Sequence, residues 1–137
     1  MKVAITTPPN IDEINKVLTV DLAKTIFTYG DCIFNPSNLP LTQDLIIHEM
    51  QHAKQQAQNE TVAKLWWMRY LTDPWFRVTQ EAEAYGAQYR YICTQVKDPN
   101  QQLKYRMELA GHLSSAMYGN AISKSEAMIL IRKHAKI

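Results

Sequence analysis

His48-Glu49-Met50-Gln51-His52 sets two imidazoles four residues apart, with a carboxylate beside the first. On a helix both histidines project from one face about a turn apart, so both can offer a ring nitrogen to one metal ion. The chemistry this pattern supports is zinc-assisted hydrolysis. Zinc held by two imidazoles needs a third protein ligand. In a catalytic site it keeps the fourth position for water, whose pKa falls to roughly 7. Glu49 adjoins the ligands without being one, which suits it to take a proton from that water and return it to a leaving amine. The plainer alternative is a pair of surface or hydrogen-bonded histidines on an amphipathic helix.

The third ligand has two possible sources. A histidine six residues after His52 would complete the metzincin pattern, but that position is Gln58, and Gln55 stands where the turn glycine belongs. The other source is a glutamate from a later helix, and Glu81 is the best placed. On a helical wheel Val78, Ala82, Tyr85, Tyr89, Ile92 and Val96 form one apolar stripe that includes Glu81, whereas Glu83 lies about 160° round and is expected to face solvent. A carboxylate in such a stripe is costly unless it is paired or metal-bound. Its rivals are a salt bridge from Glu81 to Lys64, Arg69 or Arg77, and His112 as the ligand. Tyr85, one turn after Glu81, is in position to support an oxyanion, or else packs in the core or bonds a ligand. Gln55, one turn after His52, either orients a ligand imidazole or is exposed.

The elements that must position these groups are legible in outline. A short strand is expected near Val3–Thr6, followed by a break at Pro8-Pro9 and a short helix capped by Asn10 and Glu13. Thr25–Thr28 and Cys32–Phe34 flank Tyr29-Gly30-Asp31 as a hairpin. Everything after the Asn35–Pro40 loop reads as helix. The first runs from Gln43 to about Gln58 with Thr42 as N-cap, and its apolar stripe Ile46, Met50, Ala53 and Ala57 is expected on the core. Further helices are predicted over Val62–Leu71, Arg77–Val96 and Gln101–Met117. The last opens at the capping box Ser123-Lys124-Ser125-Glu126 and carries His134, read as structural. The fold class is therefore α+β and mostly helical, in one domain spanning 1–137. A small N-terminal hairpin or sheet packs on the active-site helix and a bundle of about four further helices.

H-E-x-x-H followed, after a short helix, by Glu81-Ala82-Glu83-Ala84-Tyr85 resembles the gluzincin arrangement of zinc metallopeptidases, and is most similar to the minimal gluzincins of bacteria and their phages. The resemblance covers about residues 20–96; Tyr85 stands where many members carry Asp or Asn. It implies a zincin-like fold with His48, His52 and Glu81 as zinc ligands and Glu49 as general acid/base. It also implies that the strand ending near Phe34 is a rim against which an extended peptide pairs.

Composition limits the alternatives. The chain has 137 residues, 46% of them hydrophobic and 20% charged, which excludes disordered and low-complexity classes. Fifteen Lys+Arg against 13 Asp+Glu leave +2 at pH 7, too little for phosphate neutralisation to dominate, so no nucleic-acid partner is expected. No run is long enough to span a bilayer, and Met1–Pro9 does not read as a secretory signal, so a cytoplasmic location is expected, with virion association if the chain is phage-encoded. Cys32 and Cys93 are expected to be reduced thiols. Eight aromatic residues (Trp66, Trp67, Tyr70, Trp75, Phe76, Tyr85, Tyr89 and Tyr91) fall between positions 66 and 91. They read as helix packing, with a substrate pocket or an oligomeric or assembly surface as the alternative. The function these features imply is a small metallopeptidase, a zinc-dependent hydrolase of an amide bond in a peptide or protein, with one zinc per chain. The competing reading is a zinc-binding structural or regulatory interaction protein without catalysis.

Overall fold

The computed structural model describes residues 1–137 as β1 (Lys2–Ala4), α1 (Ile11–Val17), β2 (Phe27–Tyr29), β3 (Cys32–Phe34), α2 (Gln43–Gln55), α3 (Glu60–Thr72), α4 (Pro74–Gln95), α5 (Pro99–Leu113), a 3-10 turn (Ala116–Tyr118) and α6 (Lys124–Ala135). The architecture is α+β and mostly helical. No helix is long and apolar enough to cross a membrane.

Prolines and caps set most of the boundaries. Pro74 and Pro99 each sit in the first turn of a helix, where the missing N–H costs nothing, and Asp73 and Asp98 cap the free amides behind them. Asp73-Pro74 is therefore the start of α4, which begins ahead of the expected Arg77. The Ser123–Glu126 capping box forms as expected. The one proposed at Asn10 does not, because the Asn10 side chain makes no cap bond. At the end of α2, Ala57 and Gln58 adopt left-handed backbone (φ 54° and 48°), so the helix stops short of Gln58.

The sheet has strand order β1-β3-β2, with β1 parallel and β2 antiparallel to β3. The hairpin turns at Gly30, whose φ of 65° belongs to the left-handed region. This order corrects one implied feature. Phe34 lies on an interior strand with both edges paired, so no peptide can add there. The outer strand β2 is sealed as well, since its Thr28 carbonyl accepts from Gln56 Nε2 at 3.1 Å and from the Trp67 indole at 3.0 Å.

A core of aromatic and aliphatic residues runs from Ile14 and Phe27 through Trp66, Trp67 and Tyr70 to Tyr85, Tyr89, Leu113 and Ile131. Helices α4 and α6 approach closely at Gly86. A Cβ there would sit 2.7 Å from the Cβ of His134 and 2.9 Å from the backbone nitrogen of Ala135. Of the eight clustered aromatics, Trp75 is exposed while Trp66, Trp67, Tyr70, Tyr85 and Tyr89 are buried, as helix packing requires.

The expected apolar stripe of α2 faces the core only in part, at Ala53 and the half-buried Ile46. Met50 is 48% exposed and Ala57 lies beyond the helix, while His48, Glu49, His52 and Ala53 are buried. Polar side chains can take the inward face because each finds a partner there, so their burial carries no unpaired-group penalty.

Candidate metal centre

Helix α2 supplies His48, Glu49 and His52, and α4 supplies Glu81 across the interface between them. The four are 5%, 8%, 5% and 4% exposed. The Nε2 atoms of His48 and His52 are 3.2 Å apart, and Glu81 Oε1 lies 3.2 Å from the first and 3.1 Å from the second. Three donor atoms on a zinc ion at about 2.0–2.1 Å in tetrahedral geometry would be about 3.3–3.4 Å apart. The triangle therefore fits a metal almost without movement.

The hydrogen bonds behind the triangle fix which atoms face it. Gln88 Nε2 donates to Asp44 Oδ2 at 2.8 Å, which turns Gln88 Oε1 toward His48 Nδ1 at 3.0 Å. Gln55 Nε2 donates to the Gln80 carbonyl at 3.0 Å, and Gln55 Oε1 faces His52 Nδ1 at 2.8 Å. Each Nδ1 must then donate its hydrogen to an amide oxygen, which leaves each Nε2 directed at Glu81. Three acceptor sites facing one another need a cation between them, either a proton or a metal ion.

Electrostatics describe the proton version. Burial alone would lower the His52 pKa, but the Glu81 carboxylate and its hydrogen bond outweigh this and hold the imidazole up to about 9. Burial would raise Glu81, yet His52 and the two histidine hydrogen bonds keep it well below the usual carboxylate range. The second oxygen of Glu81 accepts from the Tyr70 hydroxyl at 2.6 Å. Burial, and then the Glu81 charge, push Tyr70 far up, so it remains a donor. Glu49 is split between two tasks. Its Oε1 accepts from Thr28 Oγ1 at 3.0 Å, while Oε2 lies 3.8 Å from His48 Nε2, beside the triangle. Burial raises the Glu49 pKa against the pull of both histidines, which moves it toward the range of a useful base.

A small cavity of about 50 Å³ opens on these groups, lined also by Leu18, Val20, Phe27, Tyr70, Met117 and Tyr118. Tyr85 does not line it. The Tyr85 hydroxyl shares a 2.8 Å hydrogen bond with Tyr118, and its ring packs edge-on against His48 with centroids 4.4 Å apart.

The rivals for Glu81 have other partners. Arg69 pairs with Asp73 at 3.7 Å, and Arg77 donates to the carbonyls of Tyr70, Leu71 and Tyr118. His112 is exposed, and the only cluster of metal-ligating side chains is His48, His52 and Glu81. Glu83 does not simply face solvent. It is half-buried and accepts from Gln51 and Gln55, one step behind His52.

Sequence reasoning missed Tyr70, Gln88, Asp44 and Thr28. Two of them carried a usable signal, since Asp44 lies one turn before His48 and Gln88 two turns after Glu81, on the faces already assigned. Tyr70 and Thr28 arrive from other elements and left no such periodic mark. Comparison with protein-family models, curated protein sequences and solved structures gave no match for this chain.

Proposed function

We propose that this protein is a zinc-dependent amide hydrolase, a small gluzincin-type metallopeptidase with a zincin-like arrangement around its active-site helix. The reading is carried by one observation, the preformed His48–His52–Glu81 triangle with the free oxygen of Glu49 beside it. Two imidazoles and one carboxylate are a donor set suited to zinc. Bound there, zinc would supply Lewis-acid polarisation of a carbonyl and a water of pKa about 7.

The remaining chemistry belongs to the chain. Glu49, anchored through Thr28, takes a proton at Oε2 and delivers it to the leaving nitrogen. Tyr70 holds the outer oxygen of Glu81, so that carboxylate stays in one orientation. The apolar walls exclude bulk water and strengthen every charge inside. A peptide needs more room than the cavity offers, so entry requires the Leu18–Ile26 segment or the Met117–Tyr118 turn to move. That small volume favours a second reading, a zinc site serving stability in an interaction protein. A cytoplasmic location fits either.

Elemental analysis of dialysed protein, with cleavage assays on an unfolded protein substrate, separates the two. About one zinc per chain and cleavage that disappears in a zinc-retaining Glu49→Gln variant are expected. Zinc without Glu49-dependent cleavage supports the structural reading, and a zinc-free protein of unchanged stability ends both.

A further inference from the structure

The two histidines of the triangle are braced differently. Gln55, behind His52, is held by a backbone carbonyl as well as by Glu83, so no single side chain controls it. Gln88, behind His48, is 3% exposed, and its amide nitrogen has one partner, Asp44. A carboxylate at neutral pH accepts and does not donate. Asp44 therefore dictates that the NH2 of Gln88 points outward and its oxygen points at His48 Nδ1.

The reverse orientation would have a different consequence. An NH2 group facing Nδ1 would need a lone pair there, and the ring hydrogen would move to Nε2, in the path of a metal. We propose that Asp44, acting through Gln88, is a positioning residue that sets the tautomer of His48 and thereby the metal affinity of the site. Its side chain makes no hydrogen bond to the triangle and does not line the cavity. The affinity part of this inference rests on the zinc reading; the tautomer part does not.

The test reverses the donor at position 44. Asp44→Lys can only donate, so it should claim Gln88 Oε1 and turn the NH2 group inward. Asp44 is half-buried in the first turn of α2, where a longer side chain can reach solvent. Long-range 1H–15N spectra of the metal-free protein, taken where His48 is neutral, should show hydrogen on Nδ1 in the parent chain and on Nε2 in Asp44→Lys. Zinc affinity should fall about 10- to 100-fold. Asp44→Lys combined with Gln88→Glu restores an acceptor for both neighbours and should restore the Nδ1–H tautomer and the affinity. Asp44→Asn, which can still accept, should stay within about 3-fold of the parent.

A folded Asp44→Lys that keeps Nδ1–H, or a folded double variant that fails to recover, overturns the proposal. If Asp44→Lys does not fold, Gln88→Met removes the relay without placing a donor against Nδ1, and unchanged zinc affinity there overturns it equally. A parent chain that binds no zinc would sink the zinc reading while the spectra still decide the tautomer.

Discussion

Replacing Glu81 by Gln keeps the shape of the side chain and an acceptor for Tyr70 but removes the charge that holds the proton on His52. The magnitude follows from that proton. His52 is raised from 6.5 to about 9 in the folded protein. A shift of that size corresponds to about 3 kcal/mol of stabilisation in the metal-free chain. A base whose pKa is raised by folding holds its proton more tightly in the native state. The stabilisation is therefore complete below pH 6.5 and is lost as pH climbs through 9. Glu81 stays ionised throughout this window because its own pKa is depressed. Chelator-treated parent protein should thus lose about 10 °C of melting temperature between pH 6 and pH 9.5 relative to Glu81→Gln at the same pH. Taking the difference cancels the exposed groups that titrate in both chains. Urea melts at four pH values give the same quantity isothermally. A difference that does not change with pH, or one that grows with pH, would refute the assignment of a shared proton to His52 and Glu81.

Zinc at 1,000 times its dissociation constant should add about 4 kcal/mol to the stability, an increment that His52→Ala abolishes and Glu83→Ala retains in thermal melts. Tyr70→Phe leaves the outer oxygen of Glu81 without its donor and should cost about 1–3 kcal/mol by urea unfolding of the metal-free protein. Gly86→Ala forces a methyl group against His134 and should destabilise by about 1–3 kcal/mol, read as a lower urea midpoint at unchanged slope. Ser123→Ala removes the α6 cap and should cost about 1 kcal/mol in the same assay.

The parts of this molecule that could be read from the chain are those written in local chemistry. Ser123 announces a helix start and Gly30 the hairpin, while Pro74 and Pro99, read as breaks, turn out to be the first residues of α4 and α5. The i, i+4 histidines and the stripe around Glu81 mark the two helix faces that meet. What failed was the inference from hydrophobicity to burial on α2. Met50 is apolar and exposed, while Glu49, His52 and Gln56 are polar and inside, because the inner face is held by hydrogen bonds that only the folded chain supplies. Tyr70 and Thr28 were illegible for a related reason. Each reaches a carboxylate of the candidate site from a different element, and no sequence spacing encodes an approach between α3 and α4 or between β2 and α2. The position of β3 was likewise hidden, since pairing of β1 with β3 skips over α1 and β2.

Leu18 and Val20, which wall the cavity over the triangle, turn the site from a question of affinity into one of timing. Groups this enclosed would exchange a metal only when the Leu18–Ile26 segment or the Met117–Tyr118 turn lifts. A chelator in excess would then strip a bound metal at a rate independent of its own concentration, set by that opening alone. A chain that folds before it meets zinc and one that folds around it would reach the same end state along clocks of very different speed.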